Sequence, residues 1–288
     1  MAIGKEIIRD IAEHAETCLA PDSKEHLVIG LKAVNSIAEA RGTPATDVEI
    51  AALRQGVIPR HYLRNMGTIG RDGQIVLLRS AVAVVGAGGL GGTIIELLAR
   101  QGVGHIIIID GDRFAEEDLN RQLMSTEEAL GECKAIIAAR RVKKINSAVM
   151  VTPVEERLSR ANARKLLKGA MVVADGMDNL PSRFAVEEAC RDLGIPFVYG
   201  AIAGFGGQLM TIFPEDVGLS SVYGPSGNLA ERGIEVQVGN PSATPAMIAA
   251  WQVQEVVKII TGIGKPLRNH LLMLDGEEGV VDKIEIKR

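Results

Sequence analysis

Cysteine and aromatic residues are both scarce in this chain, and each scarcity removes a class of function. The three cysteines, Cys18, Cys133 and Cys190, lie far apart and form no CxxC pair, so neither a disulfide framework nor a cysteine zinc site is indicated. Aromatic side chains make up only 3% of the chain, too few for the stacked platforms that hold unpaired bases. No uninterrupted apolar run approaches the length of a membrane span, and the opening residues MAIGKEIIRD lack the apolar core of a signal peptide. An excess of positive charge is missing too. With 32 Lys and Arg against 36 Asp and Glu, the net charge of −4 offers no overall basic field to nucleic acid or an anionic membrane. A cytoplasmic protein acting on neither is therefore expected, with the basic run 140–144 as a local exception.

What the chain does have, in 288 residues of 47% hydrophobic content, is enough material for one large α/β domain and an appendage. The stretch that organises it is 81–112, AVAVVGAGGLGGTIIELLARQGVGHIIIIDGD. A short apolar run, 81–85, predicts a buried strand. It meets a turn containing Gly86, Gly88, Gly89 and Gly91, after which Ile94, Ile95, Leu97 and Leu98 recur at helical spacing until Gly102 and Gly104 stop the helix. A second strand, 106–109, ends in Asp110. Strand, tight turn, helix, strand and acid make half of a nucleotide-binding βαβ unit. The glycines let the backbone approach a phosphate, the helix N-terminus offers free N–H groups and partial positive charge, and the acid suits a ribose hydroxyl. A lone GxGxxG can also be a tight turn without a ligand, but here its flanking elements favour the nucleotide.

Residues 1–58 read as a helical N-terminal extension, and 59–288 as the nucleotide-binding domain. Ile7, Ile8, Ile11, Ala12 and Ala15 mark one amphipathic face; Leu27, Leu31, Val34 and Ile37 mark another, closed by Gly42 and Pro44. Thr46 and Glu49 have capping-box spacing for a third helix that stops near Gly56. His14 and His26 read as surface residues, since no second ligand lies one helical turn away. Arg60 and Arg64, four apart, would share a helix face just ahead of the phosphate loop.

Beyond Asp110 come Asp112 and the run Asn120-Arg121-Gln122, and Lys134 opens a helix whose far end gathers Arg140, Arg141, Lys143 and Lys144, as the helix dipole favours. Arg121 and Lys134 fall at element boundaries on the strand-end side, where open parallel sheets bind ligands. A strand over 149–151, a helix over 162–168 and a strand over 171–174 follow, the last ending in Asp175-Gly176-Met177-Asp178-Asn179. Asp175 reads as a turn residue, and Asp178 as the better metal-ligand candidate. Cys190, in a helix over 183–193, reads as a core residue. Strands are expected over 196–200 and 208–213, a helix over 247–261, and a hairpin of 271–274 with 280–286. Between them, 214–245 lacks periodicity and is long for a connection.

Several of these motifs have a shared order. Arg60-His61-Tyr62-Leu63-Arg64 precedes Gly70 and Gly73-Gln74, then GAGGLGG, Asp110-x-Asp112, Leu119-Asn120-Arg121-Gln122 and Gly131-x-x-Lys134-Ala135. Ile145-Asn146, Asp178-Asn179 with Arg183, and Gln254-Glu255-Val256-Val257-Lys258 complete it. Over 60–288 this series resembles the ThiF/MoeB/HesA family, bacterial relatives of ubiquitin-activating enzymes. The resemblance implies an α/β fold, a doubly wound Rossmann-like and mostly parallel sheet with a C-terminal antiparallel hairpin, here with an N-terminal helical appendage. It also implies a homodimer that uses ATP and Mg²⁺ to adenylate the C-terminal glycine carboxylate of a small ubiquitin-like sulfur carrier ending in Gly-Gly, releasing pyrophosphate.

That chemistry suits the residues. A terminal carboxylate of ordinary pKa, about 3.5, is already ionised at neutral pH and needs no general base. The demand is to hold two anions together and stabilise charge on the α-phosphate during in-line attack. By resemblance, Arg121 and Lys134 would contact ATP phosphates, and Asp178 would position Mg²⁺ or the attacking carboxylate. Asp110 and Asp112 would lie on the ribose and metal side, and Asn120, Gln122 and Asn179 would line the nucleotide pocket with the glycines Gly86, Gly88, Gly89 and Gly91. Arg64 would be supplied across a dimer interface.

The chain departs from the family in places. Asn65 stands where glutamine is usual, and Gly92 where serine is commoner. The regions corresponding to the family's zinc-binding CxxC pairs read Thr211-Ile212-Phe213-Pro214 and Asn228-Leu229-Ala230-Glu231, so no zinc is expected. No cysteine occurs in 214–245, so activation is expected to stop at the acyl-adenylate, and Cys133 beside Lys134 reads as a bystander. Two alternatives remain: a same-superfamily ATP-dependent dehydratase acting on a tRNA or a small carboxylate, and an NAD-dependent oxidoreductase. The oxidoreductase accounts for the glycine loop and Asp110, but for neither Arg121 nor Lys134.

Overall fold

The computed structural model describes residues 4–19, 23–225 and 235–286. Its first unit is α1 (Lys5–His14), β1 (Glu16–Leu19), β2 (Glu25–Ile29), α2 (Leu31–Arg41), α3 (Ala45–Arg54) and β3 (Val57–Pro59). The three expected helices form, but they pack on a three-stranded sheet, β1-β2-β3, that the helical reading of 1–58 did not include. Leu27, assigned above to the face of a helix, lies in β2 and is exposed. The β-branched pair Val28 and Ile29 pairs in parallel with Ile58 and Pro59, a partner thirty residues on that helical periodicity cannot reveal. The capping box also fails. Pro44 precedes α3, and Thr46 donates its hydroxyl proton to the carbonyl of Ala148 (2.6 Å).

Helix α3 is apolar on two sides. Val48, Ala51 and Ala52 join Ile11, Ile29, Val34, Ile37 and Val57 in the small core. Ile50 and Leu53 instead meet Tyr62 and Leu78 of the following domain. Fully buried between them, Glu49 faces His61 Nε2 at 3.2 Å and accepts a long hydrogen bond from the Tyr62 hydroxyl at 3.5 Å.

A 3-10 helix, Arg60–Asn65, leads into the larger domain. With three residues per turn, it sets Arg60 and Arg64 on different faces, correcting the expectation of a shared one. Arg60 pairs with Glu16, and Arg64 is exposed. Then follow α4 (Gly70–Leu78), β4 (Ala81–Val85), α5 (Gly89–Gln101), β5 (His105–Ile109), α6 (Lys134–Ile145), β6 (Met150–Val154), α7 (Ala163–Leu167), β7 (Val172–Asp175) and α8 (Leu180–Leu193). The chain ends with β8 (Phe197–Ala203), β9 (Gly206–Ile212), two short helices α9 (Ser220–Tyr223) and α10 (Glu235–Val238), α11 (Ala243–Thr261), β10 (His270–Asp275) and β11 (Val280–Glu285).

The main sheet has the order β11-β10-β9-β8-β7-β4-β5-β6. Strands β6, β5, β4, β7 and β8 are parallel; β9, β10 and β11 close one side antiparallel. Continuous apolar strands are what a sheet covered on both faces demands. In β4 and β5, Val82, Val84, Ile106 and Ile108 enter the layer under α5, α6 and α11, while Ala83, Val85, Ile107 and Ile109 enter the layer under α7 and α8. From β4 the chain first winds out through β5 and β6, then returns to β7 on the other side. The carboxyl ends of β4, β5 and β7 therefore open on a topological switch point, where such sheets bind ligands.

Candidate active site

The glycine turn is built by close backbone packing. Gly86 has φ +92°, and a Cβ on it would lie 2.4 Å from the carbonyl oxygen of Gly176. A Cβ on Gly91 would lie 1.8 Å from the Gly86 carbonyl oxygen. The turn after β4 and the turn after β7 thus interlock through glycine. Gly88 and Gly89 are half-exposed, and α5 begins there with no side chain capping its first N–H groups. An uncapped helix N-terminus beside the strand ends suits an anion.

Beside the turn, the Asp110 carboxylate accepts hydrogen bonds from the backbone N–H groups of Ala87 and Asp112, both at 2.7 Å. Burial pushes its pKa up, while the two N–H donors oppose that shift. Asp112 is exposed and paired with Arg157, whose Nη2 and Nε lie 2.7 and 3.1 Å from Oδ1. Arg157 has no place in the motif series above.

The cationic residues meet on another acid that the sequence reading passed over. Asp118 is buried. Its Oδ2 lies 3.1 Å from Lys134 Nζ and accepts from the N–H of Ala115 at 3.1 Å. Its Oδ1 accepts from Gln122 Nε2, with an Arg121 nitrogen 3.6 Å away. Arg121 also donates to the carbonyl of Glu117 (2.7 Å) and to Asn120 Oδ1 (2.8 Å). Since a carboxylate only accepts, Gln122 must turn its amide nitrogen towards Asp118. Its Oε1 is then left buried without a partner, and the side chain stands against Gly88 of the phosphate turn. Lys134 is 8% exposed and sits 5.6 Å from the centre of the Phe114 ring. The signal available in sequence was an acid three residues before Arg121 and four before Gln122, a helical-turn spacing inside an apparent loop.

At the end of β7, Asp175 is not the turn residue expected. It is fully buried and paired with Arg183 at 2.9 Å. Arg183 also donates to the carbonyls of Met177 (2.6 Å) and Gly200 (3.0 Å), and Gln252 of α11 donates to the Asp175 carbonyl (2.9 Å). This set ties β7, β8, α8 and α11 together. Asp178, three residues on, is exposed and accepts from Asn179 Nδ2 at 3.0 Å; Asn179 caps α8 through the N–H of Ser182.

The structure therefore brings Gly88, Asn120, Arg121, Gln122 and Lys134 into one group, with Asp110, Asp112 and Asp178 on neighbouring strand ends. The Arg64 side chain forms no hydrogen bond or ion pair with the described residues. Cys133 and Cys190 are both buried, and burial raises the Cys190 thiol pKa. Of the two regions compared with the zinc-binding pairs, 228–231 lies outside the described residues. Among the described residues, no group of three or more His, Cys, Asp or Glu side chains could hold a metal ion.

Residues 62–288, the larger domain almost entire, match the ThiF family. This chain belongs to the ThiF family. Among ThiF relatives, the sulfur carrier protein adenylyltransferase of Thermus thermophilus is 34% identical over 251 residues, covering 82% of this chain and 86% of its own length. The SAMP-activating enzyme E1 of Haloferax volcanii is 35% identical over 216 residues, 75% of this chain and 79% of its own. Among solved structures, E. coli MccB with ATP superposes at a TM-score of 0.69 and 20% identity, over 98% of this chain and 87% of that one. E. coli tRNA N6-threonylcarbamoyladenosine dehydratase, TcdA, with ATP gives 0.60 at 23% identity, over 70% and 94%. Both are likenesses of fold, and the first takes in the N-terminal unit as well.

Proposed function

We propose that this ThiF-family chain is an adenylyltransferase that uses ATP to activate the C-terminal glycine carboxylate of a small ubiquitin-like sulfur carrier. The observation that carries the reading is the pairing of Lys134 and Arg121 with buried Asp118, next to the uncapped start of α5. Two cations and a row of N–H donors suit a triphosphate, and they are held before it arrives, so little reorganisation is needed during attack. The identities of 34% and 35% to enzymes named as sulfur carrier protein adenylyltransferase and SAMP-activating enzyme E1 support the substrate class.

In this reading the turn from Gly86 to Gly91 receives the phosphates and Asp110 faces the ribose. Arg121 and Lys134 neutralise the α-phosphate and the departing pyrophosphate. Asn120, Gln122 and Asn179 line the pocket. Gln122 Oε1, buried and unpartnered, fits a donor on the ligand. Arg64, exposed and with an unpaired side chain among the described residues, fits an arginine lent across a homodimer interface. Mg²⁺ typically keeps most of its shell as water and phosphate oxygens, with only one or two protein carboxylates. The exposed carboxylates of Asp178 and Asp112 suit that arrangement, although they form no cage by themselves. Bound there, Mg²⁺ would screen the phosphates' negative charge.

The test is ATP–pyrophosphate exchange with candidate carriers ending in Gly-Gly, comparing the natural sequence with Asp178→Ala and Arg121→Ala. Exchange that requires a carrier and is abolished in both variants, with their circular dichroism unchanged, supports the reading. Near-normal exchange in either variant places the chemistry elsewhere. ATP binding that no carrier converts into exchange points to a different carboxylate or to a dehydratase.

A further inference from the structure

Asp110 and Asp112 follow β5 and Asp178 follows β7, strands that flank β4 on either side. One exposed arginine is paired among them. Arg157, three residues beyond β6, directs both Nη2 and Nε onto Oδ1 of Asp112. Its arm crosses Gly111, where a Cβ would lie 2.8 Å from Arg157 Cγ. The Arg157 backbone nitrogen would lie equally close, at 2.8 Å, so glycine at 111 lets the segment after β6 pass against the end of β5.

This pair contrasts with the other Arg–Asp pair at the strand ends. Arg183 is buried on Asp175 and holds two carbonyls besides, so removing it would leave several polar groups unsatisfied. The Arg157 side chain is 83% exposed and holds Asp112 alone. Such a pair is weak, and either partner can be rehydrated at once when it opens. A divalent cation arriving with a triphosphate competes for the same carboxylate oxygens with twice the charge.

We propose that Arg157 is a displaceable counter-ion: it neutralises Asp112 before nucleotide binds and surrenders it to the divalent cation that enters with ATP. This rests on the nucleotide reading above. Without Arg157, Asp112 would meet the incoming cation with no paired arginine to displace.

Electron paramagnetic resonance of Mn²⁺ tests this on the full chain saturated with a non-hydrolysable ATP analogue, comparing the natural sequence with Arg157→Gln and Arg157→Lys. The expected result is a several-fold lower half-saturating Mn²⁺ concentration in Arg157→Gln, with Arg157→Lys close to the natural protein because it keeps the charge. Equal Mn²⁺ affinity in Arg157→Gln overturns the proposal and leaves a passive surface pair. Weaker affinity overturns it in favour of a direct contact between Arg157 and the nucleotide. Failure of the natural protein to bind the analogue removes the nucleotide reading and this proposal together; binding with unchanged Mn²⁺ affinity removes this proposal alone.

Discussion

Lys134 Nζ lies 3.1 Å from Asp118 Oδ2, and both side chains are close to fully buried. The ammonium that would meet the triphosphate is therefore already desolvated and held by a carboxylate. Asp118 also takes Gln122 and stands near Arg121, so it sets the geometry of three of the proposed nucleotide contacts.

Replacing Asp118 with Asn should remove the charge at nearly constant shape. Breaking one partner out of a buried ion pair costs about 3–5 kcal/mol in comparable cases. Denaturant unfolding of Asp118→Asn should show a loss in that range, and ATP–pyrophosphate exchange should fall at least tenfold. Unchanged stability and exchange would mean that Lys134 is positioned by Phe114 and its own helix instead.

The turn glycines separate into two kinds. A Cβ at Gly91 would meet backbone at 1.8 Å, whereas one at Gly92 would meet Cγ of buried Met124 at 3.2 Å and the Ala87 carbonyl oxygen at 3.4 Å, a tight fit that small shifts can relieve. Gly91→Ala is expected to lose more than about 2 kcal/mol or fail to fold, since the first turn of α5 would have to move off the backbone of Gly86. Gly92→Ser should stay within about 1 kcal/mol of the natural protein. Thermal melts of the two variants side by side decide it.

Acid stability should depend on Glu96. Arg141 holds its carboxyl below the usual range, with Arg100 adding to that against the opposing effect of burial. A carboxyl lowered by folding stabilises the protein above its unfolded pKa, about 4.3, and that contribution disappears as pH falls through the lower folded value. The Tm of Arg141→Met should therefore lie below that of the natural protein near neutrality, and the gap should narrow as pH drops below about 4. A gap that holds constant or widens would assign the shift to other groups.

Arg64 offers a test of subunit exchange. If it acts across a dimer interface, Arg64→Ala and Arg121→Ala should each be inactive alone. Mixed in equal amounts after reversible dissociation, they should recover about a quarter of the natural exchange rate, because half the dimers would be mixed and each would carry one intact site. No recovery, with mixed dimers verified by mass spectrometry, would mean that Arg64 acts within its own subunit, and a fully active Arg64→Ala would place Arg64 outside the reaction.

The centre of this fold is legible in the sequence because the turn from Gly86 to Gly91 is flanked by runs that can only be buried strands and an apolar helix. The N-terminal sheet is not. Glu25–Ile29 is too short to display alternation, and its partner Val57–Pro59 lies across two helices. The site divides in the same way. Asn120, Arg121, Gln122 and Lys134 stand at recognisable element boundaries, while Asp118 looks like one more charge in an acidic loop until the fold buries it. Asp175 reads as a turn residue because sequence does not reveal that Arg183, eight residues on, turns back to meet it. Arg157 is reached only through the sheet order, which sets the end of β6 beside that of β5.

Helix α3 belongs to two apolar cores at once, the small N-terminal one and the junction with Tyr62 and Leu78. Its melting would strip both together, so the N-terminal unit has no independent way to come apart. Calorimetry of the whole chain should accordingly give one endotherm, with amides on either side of residue 60 losing protection from hydrogen exchange in the same cooperative event. A removal that looks like trimming a tag would take away part of the larger domain's wall.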